Sequence, residues 1–315
     1  MRLIMMGTGP FAVPTFERLY ESRHEVLALV TRPPRALHGK SAAEANPMRE
    51  LAASRGTPVH APESINAPAA RAELITYRPD LFVVCDYGQI LSADVLAISR
   101  LGGINLHASL LPKYRGAAPI NWAIYHGEGE TGVTVIHMTR QLDAGPAIVQ
   151  LQTPIGVEET AAEAEPRLAE LGAPAVLSAI DLLEAGTAIP LPQDPGQATK
   201  APRLNKSDGQ VDWSRPAAAI KNQVRALVPW PKTFTFWRRG EQQPLRLILE
   251  KVQFDNAAHA ASPGTILEAN GDILRVATGA GTLAIQSIQP AGKRILTTAE
   301  FLRGYPVQPG DQFST

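Results

Sequence analysis

RLIMMGTGPFAVPTFERLYESRHEVLALVTR, residues 2–32, holds two short apolar runs that are separated by a glycine-containing turn and a longer amphipathic segment. Leu3–Met6 and Glu25–Thr31 have the length and the apolar character of buried strands. Between them, Phe11–Ser22 has apolar residues at helical spacing. A strand, a helix and a second strand in this order predict a unit whose two strands lie parallel in one sheet.

The same alternation continues through the first half of the chain. Four further runs are predicted to be strands: Leu81–Cys85, Gly103–Leu106, Gly132–His137 and Ala147–Pro154. Three further segments have helical patterns: Pro47–Arg55, Ala69–Tyr77 and Ala161–Glu184. Strands that alternate with helices predict an α/β domain with a Rossmann-like, mainly parallel sheet. Ligands of such sheets bind beyond the carboxyl ends of the strands, so functional residues are expected there.

The pattern of predicted strands and helices changes in the second half of the chain. A proline-rich, irregular stretch at 188–202 reads as a linker, and short strands separated by glycine turns follow it. Strands at this spacing predict a small C-terminal β-barrel of the OB-like kind. The predicted organisation is therefore an α/β domain over residues 1–188, a linker over 189–205 and a small barrel over 206–315.

Composition limits the class of protein. The chain has 315 residues, of which 44% are hydrophobic and 19% charged, as in an ordinary globular protein. No run approaches the roughly 18 apolar residues of a membrane span. Cys85 is the only cysteine, so no intramolecular disulfide can form, and a cytoplasmic location is expected. A cysteine-based zinc site is excluded, no histidine pair has i, i+4 spacing, and no metal is predicted.

Charge is unevenly distributed along the chain. Residues 1–199 hold 15 Lys and Arg against 21 Asp and Glu, whereas residues 200–315 hold 15 against 9. The second half therefore carries a balance of +6. A polyanionic partner such as nucleic acid would explain this balance, and so would an ordinary solvated surface.

Gly7-Thr8-Gly9-Pro10-Phe11-Ala12 fits the pattern G-x-G-x-x-A after a strand, which is typical of dinucleotide sites. Such sites also need a carboxylate near the end of the second strand, to hold the ribose hydroxyls. Here that strand ends in Thr31-Arg32, and Pro10 removes a backbone donor that a phosphate would use. A plain turn from strand to helix is the favoured interpretation.

Polar residues interrupt the apolar strand near residue 105. Side chains alternate between the two faces of a strand, so Asn105 and His107 are expected to point the same way, at its carboxyl end. About 35 residues later, Asp143 lies in a predicted turn between two strands. An amide, an imidazole and a carboxylate at adjacent strand ends predict an acid–base site. Since no G-x-S-x-G motif or suitably placed cysteine is present, direct attack of a substrate nucleophile on an acyl group is favoured.

These residues resemble the signature of the folate-dependent formyltransferases. The match comprises Asn105-x-His107-x-Ser109-Leu110-Leu111-Pro112-x-x-Arg115-Gly116-x-x-Pro119, Thr131-Gly132-Val133-Thr134, Leu142-Asp143-x-Gly145, Met6-Gly7-Thr8-x-x-Phe11-Ala12-Val13-Pro14 and Tyr87-Gly88-Gln89-Ile90-Leu91. In the second half, Leu204-x-Lys206-x-Asp208-Gly209, Asp212-Trp213 and Pro229-Trp230-Pro231 are similar to the members that act on methionyl initiator tRNA. The resemblance covers nearly the whole chain and implies the formyltransferase fold.

The resemblance implies a reaction and a set of site residues. The reaction is transfer of the formyl group of 10-formyltetrahydrofolate, a co-substrate, to the α-amino group of methionyl initiator tRNA, in translation initiation. Asn105, His107 and Asp143 are the implied catalytic residues. Two segments would contact the folate: Ser109, Leu110, Leu111 and Pro112, with Gly88, Gln89, Ile90 and Leu91 facing them. The implied nucleic-acid-binding residues are Arg35, Lys40, Lys206, Arg238, Arg239 and Lys293, and Lys221, Arg225 and Arg294 are further candidates.

Two alternatives stay open at this stage. In one, the folate chemistry is kept but the acceptor is an amino-sugar nucleotide or water, which the short basic loop at residues 32–40 motivates. In the other, the chain is a binding protein whose α/β domain senses a nucleotide through residues 7–12, while its barrel binds RNA.

Overall fold

The computed structural model describes residues 1–34, 46–238 and 243–314. Three of the residues implied to bind nucleic acid, Arg35, Lys40 and Arg239, lie outside these ranges. The chain divides into two compact units. The first unit comprises Met1–Pro119, Glu130–Pro154 and Glu163–Pro202, and the second comprises Ile120–Gly129, Ile155–Ala162 and Arg203–Thr315.

In the described residues before 202 there are nine strands and six α-helices. The strands are β1 (Arg2–Gly7), β2 (Glu25–Val30), β3 (Val59–His60), β4 (Leu81–Cys85), β5 (Gly103–His107), β6 (Arg115–Gly116), β7 (Glu130–His137), β8 (Ala147–Pro154) and β9 (Lys200–Ala201). The helices are α1 (Val13–Tyr20), α2 (Pro47–Ser54), α3 (Pro68–Thr76), α4 (Ala93–Leu96), α5 (Pro119–Tyr125) and α6 (Ala161–Glu184). All but the first residue of α5 belongs to the second unit.

The first unit is built on a seven-stranded sheet in the order β3-β2-β1-β4-β5-β7-β8. The strands from β3 to β5 are parallel, and β7 and β8 add to the sheet as antiparallel neighbours. Leu3–Met6 and Leu81–Phe82 have no exposed side-chain surface, as expected for central strands that are covered on both faces. The prediction of a Rossmann-like, mainly parallel sheet is confirmed.

The second unit contains a seven-stranded antiparallel sheet. Its strands are β10 (Thr233–Trp237), β11 (Leu245–Asp255), β12 (Ile266–Asn270), β13 (Ile273–Ala277), β14 (Thr282–Pro290), β15 (Leu296–Thr297) and β16 (Phe313–Ser314), and its helices are α7 (Ala217–Ala226) and α8 (Thr298–Gly304). The sheet curls until the N–H of Phe313 donates to the carbonyl of Gly264 at 2.9 Å, beside the opposite edge strand. A small barrel-like domain follows the α/β sheet, which confirms the predicted fold class.

The segment between residues 189 and 202 makes regular backbone hydrogen bonds within the first unit. The backbone groups of Ala147 and Leu191 exchange two hydrogen bonds of 2.8 Å, and β9 pairs with β6 as a short parallel ladder. The predicted domain boundaries near residues 188 and 205 stay a prediction. Of the helices in the described ranges, none combines the length and the apolar character needed to cross a lipid bilayer.

Candidate active site

Asn105 and His107 lie on β5, which is hydrogen-bonded to β4 on one side and to β7 on the other. Asn105 is half-buried, and its side-chain amide makes no hydrogen bond to any residue in the described ranges. Half-buried amides usually have a protein partner or an ordered water. Asn105 therefore presents an available donor at the carboxyl end of a central strand, as its place in the sequence predicted.

His107 is buried, with 5% of its surface exposed, and both of its ring nitrogens face protein oxygens. Nε2 lies 2.8 Å from the carbonyl oxygen of Tyr114, and Nδ1 lies 3.8 Å from Oδ2 of Asp143. A carbonyl can only accept, so Nε2 must carry the hydrogen of that bond. In the neutral ring, the lone pair on Nδ1 would then face the carboxylate of Asp143. The 3.8 Å between Nδ1 and this carboxylate is longer than a hydrogen bond.

Asp143 is fixed by its backbone conformation and by a hydrogen bond from a neighbouring loop. Its φ of +49° is left-handed, a conformation that Asp adopts more readily than most residues. Oδ2 accepts the N–H of Gly116 at 2.9 Å, so one carboxylate oxygen both faces His107 and fixes the loop that contains β6. The structure thus brings together the amide, imidazole and carboxylate residues that the sequence singled out, from β5 and from the turn between β7 and β8.

Gln193 supports this arrangement, and sequence reasoning missed it. Its Nε2 donates to the carbonyls of Asp143 at 2.8 Å and Gly145 at 2.7 Å. Its Oε1 accepts from Arg115, with distances of 3.1 Å to Nε and 2.7 Å to Nη2. A glutamine in a proline-rich stretch gives no sequence signal for this role, because the role depends on a contact across 50 residues of chain.

The Ser109–Pro112 segment forms a turn that is fixed mainly by Thr134 of β7. The Thr134 hydroxyl donates to the carbonyl of Ser109 at 2.6 Å and accepts from the N–H of Leu111 at 3.1 Å. Gln150 donates to the carbonyl of Leu111 at 2.9 Å. The Ser109 hydroxyl donates to the carbonyl of Lys113, so it is engaged within the turn. Leu111 is buried, while Leu110 and Pro112 are half-buried.

The Gly88–Leu91 segment follows β4, the parallel neighbour of β5, so it begins at the same edge of the sheet. Gln89 braces this loop, since its Oε1 accepts the N–H of Ile65 at 2.8 Å and its Nε2 donates to the carbonyl of Pro62 at 3.2 Å. Ile90 is 68% exposed, whereas Leu91 is buried in the core. Of these predicted folate contacts, Ile90 presents the free apolar side chain.

The glycine-containing loop at residues 7–12 is occupied by protein rather than shaped for a phosphate. A Cβ placed on Gly9 would lie 1.9 Å from Oδ2 of Asp86, and one placed on Gly7 would lie 2.9 Å from the carbonyl oxygen of Cys85. The glycines therefore provide room for close packing. A carboxylate at this position would repel a pyrophosphate, which agrees with the interpretation of a plain turn from strand to helix.

Cys85 is fully buried beside this loop. Burial, together with the charge of Asp86, raises the pKa of its thiol well above the ordinary value. A thiol in this environment stays protonated at neutral pH and is a poor nucleophile. The site therefore fits chemistry in which no cysteine intermediate is formed.

The basic residues of the second unit divide into two groups. Lys206, Arg238 and Lys293 are exposed. In contrast, Lys221 is buried against Glu158, and Arg225 is buried with its guanidinium donating to the carbonyls of Gly156 and Glu159. The inclusion of Lys221 and Arg225 among the candidates for nucleic-acid contact was wrong, because their charges are used inside the unit.

One group of side chains in the described ranges has the spacing of metal ligands. It comprises His24, Asp181 and Glu184, far along the chain from β5. Arg23 pairs with both carboxylates, at 2.8 and 2.6 Å, so their charge is already compensated. The group is therefore a surface salt-bridge cluster in this structure.

Comparison with known proteins shows the family of the chain. Residues 1–180 match the family "Formyl transferase", and residues 203–306 match "Formyl transferase, C-terminal domain". The methionyl-tRNA formyltransferase of Rhodopirellula baltica is 44% identical over 99% of this chain and 96% of its own length. That of Citrifermentans bemidjiense is 40% identical over 98% and 95%. A solved N-formyltransferase of Helicobacter canadensis, in complex with folinic acid and dTDP-3-aminofucose, shares the fold with a TM-score of 0.65 and 17% identity, covering 90% of this chain and 98% of that one.

The chain therefore belongs to the formyltransferase family, and within it to the methionyl-tRNA formyltransferases. It is an enzyme of folate-dependent formyl transfer, which removes the alternative of a non-catalytic binding protein.

Proposed function

We propose that this protein transfers the formyl group of 10-formyltetrahydrofolate to the α-amino group of methionine esterified to initiator tRNA. The observation that carries the proposal is the available amide of Asn105 beside the His107–Asp143 pair, at the carboxyl edge of the sheet. The names of the relatives at 40 to 44% identity support the choice of acceptor.

The reaction begins when the methionyl nitrogen attacks the formyl carbon. A bond forms between that nitrogen and carbon, and the carbonyl oxygen gains negative charge in a tetrahedral intermediate. The Asn105 amide donates a hydrogen bond to this oxygen, a contact that is stronger in the transition state than in the ground state. The bond between the formyl carbon and N10 of the folate then breaks, and N10 takes up a proton.

His107 supplies positive charge and a proton source. Nε2 donates to the carbonyl of Tyr114, whereas Nδ1 lies 3.8 Å from Asp143, a separation longer than a hydrogen bond. Nδ1 is therefore the nitrogen that exchanges a proton with the attacking amine or the leaving folate nitrogen, and the charged ring stabilises the developing oxyanion.

The folate is proposed to bind where the Ser109–Pro112 turn and the Gly88–Leu91 loop meet the sheet edge. Leu110, Pro112 and Ile90 offer apolar surface to a pterin, and the backbone groups of both segments offer donors and acceptors. The tRNA is proposed to contact Lys206, Arg238 and Lys293, with Arg35, Lys40 and Arg239 as further candidates. Contacts of lysine and arginine with phosphates give affinity that is independent of base sequence.

A direct acceptor comparison tests the proposal. Purified protein and 10-formyltetrahydrofolate are mixed in turn with methionyl initiator tRNA, methionyl elongator tRNA and an amino-sugar nucleotide, and kcat/KM is measured for each. We expect formylation of the initiator tRNA to exceed that of either competitor by about 100-fold or more, which is about 2.7 kcal/mol of discrimination. Equal formylation of both tRNAs, formylation of the sugar alone, or release of formate only would contradict the proposal.

Asn105→Ala tests the oxyanion contact in the same assay, with Asn270→Ala as its control. Removal of one oxyanion donor lowers kcat by roughly 100- to 1,000-fold in well-studied cases. Asn270→Ala, at an exposed position in the second unit, should leave kcat unchanged. A protein whose formylation survives Asn105→Ala would use a different group to stabilise the oxyanion.

A further inference from the structure

Asp86 is the first residue after β4, at the same edge of the sheet as the candidate active site. Val84 pairs with Asn105 of β5, and Cys85 pairs with Gly7 of β1. Because parallel strands end at the same edge of a sheet, Asp86 follows β4 at the edge where β5 ends in His107 and where the loop after Gly7 begins. Asp86 thus lies in the strand order between the end of β5 and the loop after β1.

The Asp86 backbone is fixed tightly, and its side chain packs over Gly9. The N–H of Thr8 donates to its carbonyl at 3.0 Å, and its φ of +46° is left-handed. Its carboxylate lies over Gly9, in the space that any larger residue at position 9 would fill. The glycine therefore makes room for a carboxylate that packs against the loop after β1, in a residue that keeps part of its surface exposed.

Three charged or polar groups face this carboxylate. Glu165 of α6 contributes like charge, while Arg32, just after β2, and the backbone N–H of Gly9 act in the opposite direction. Burial of the carboxylate is the largest cause, and together these effects raise the pKa of Asp86 to about 6. Burial also raises the pKa of Glu165. Burial is thus the main cause of the raised pKa of both carboxylates.

The formylation reaction needs a group with these properties. An ordinary α-amino group has a pKa of about 7.7–8.0, so much of the acceptor carries an ammonium group at neutral pH. This ammonium cannot attack the formyl carbon until it loses a proton. Nε2 of His107 is engaged by Tyr114, and Nδ1 lies on the side of Asp143, so a further carboxylate at the same edge offers a second place for this proton.

We propose that Asp86 binds the α-ammonium group of the aminoacyl acceptor and takes one of its protons before the nitrogen attacks the formyl carbon. In this step an N–H bond breaks, an O–H bond forms on the Asp86 carboxyl group, and the electron pair stays on the nitrogen. Glu165 adds a second negative charge that favours the cation. The inference rests on the proposed function, because it requires an acceptor that carries an amine.

Asp86→Asn is the appropriate variant. Asn has the same size, tolerates left-handed φ and can still accept from Gly9, so the loop should keep its structure. We expect kcat/KM for methionyl initiator tRNA at pH 7 to fall by about 10- to 100-fold. The inhibition constant of uncharged initiator tRNA, which lacks the ammonium group, should change less than twofold, as should KM for formyltetrahydrofolate.

The pH dependence of kcat/KM separates the proposed role from a structural one. In the natural protein Asp86 must be ionised, so activity should fall as pH drops through about 6. Asp86→Asn can use only substrate whose amine is already deprotonated. Its kcat/KM should therefore fall at a higher pH than in the natural protein, close to the pKa of the amine. The variant's defect should therefore be largest near pH 6 and smallest near pH 9.

Two further variants complete the experiment. Glu165→Gln should lower kcat/KM in the same direction but by less, and Asp272→Asn, in the exposed turn between β12 and β13, should have no effect. An unchanged acid limb in Asp86→Asn, or equal weakening of charged and uncharged tRNA, would overturn the inference while the proposed function stands. Failure of the natural protein to formylate methionyl-tRNA would overturn both.

Discussion

Oδ2 of Asp143 lies 3.8 Å from Nδ1 of His107 and accepts the backbone N–H of Gly116 at 2.9 Å. One oxygen atom thus ties the imidazole of β5 to the loop that contains β6. The carboxylate faces one edge of the ring, and the carbonyl of Tyr114 faces the other. Removing the charge should therefore affect the chemical step more than the binding of either substrate.

Asp143→Asn tests this relationship. We expect kcat to fall by about 100-fold or more, the range typical of acid–base groups, while KM for formyltetrahydrofolate changes less than threefold. Steady-state kinetics with both substrates varied gives the two constants. The control is Asp94→Asn, an exposed carboxylate on α4 that pairs with Arg71. A loss confined to folate affinity would contradict the orienting role of Asp143.

Gln193 should act as a positioning residue. Gln193→Ala removes its links to Arg115, Asp143 and Gly145, and we expect a fall in kcat of roughly 10-fold, since small misplacement of reacting groups is costly. Gln193→Glu keeps the contact with Arg115 but cannot donate to the two carbonyls, so it should not restore kcat. Gln197→Ala is the control. Full activity in Gln193→Glu would show that the donated bonds are unimportant.

Gly145 should be needed for stability of the turn that contains Asp143. A Cβ at this position would lie 1.7 Å from the carbonyl oxygen of His137, so the backbone would have to move. We expect Gly145→Ala to lower the free energy of unfolding by about 2 kcal/mol, as other overpacking substitutions do. In Gly129→Ala the added Cβ meets no described atom within 4 Å, and its stability should change by less than about 0.5 kcal/mol. Equal denaturant midpoints would contradict this expectation.

Charge reversal at Lys206, Arg238 and Lys293 should weaken tRNA binding. Each phosphate contact that is lost should raise KM for the tRNA several-fold and make its logarithmic salt dependence shallower by about one. The rate of formyltetrahydrofolate hydrolysis without tRNA should be unchanged. Lys251→Glu, an exposed reversal of the same sign on β11, is the matched control. If Lys251→Glu has the same effect as the three reversals, net charge rather than a defined face governs the affinity.

The fold was readable from the sequence because its signals are local. The apolar runs of β1, β2, β4 and β5 and the helices between them have the periods of buried strands and amphipathic helices. The pairing of the proline-rich stretch around residue 191 was not readable, because prolines mark irregular backbone without showing what that backbone pairs with. Its bonds to Ala147 and to β6 join residues far apart in the chain.

The polar residues of the candidate site could be predicted from the sequence, but the residues that hold them in place could not. Asn105 and His107 were found because polar residues are unusual on a strand that is otherwise apolar and buried. Gln193 and Asp86 were missed as parts of the site, since one lies in an irregular segment and the other looks like any charged residue after a strand. The hydrogen bond of His107 Nε2 to Tyr114 was also not predictable, because it depends on how the loop after β5 folds back.

A crystal structure with bound formyltetrahydrofolate tests the central claim most directly. The account predicts that the pterin lies between the Gly88–Leu91 loop and the Ser109–Pro112 turn, with the formyl oxygen about 3 Å from the side-chain nitrogen of Asn105. The same structure should show the formyl carbon open to attack from the side of Asp86. Folate bound at another edge of the sheet, or a formyl oxygen out of hydrogen-bonding reach of Asn105, would contradict the assignment of this site.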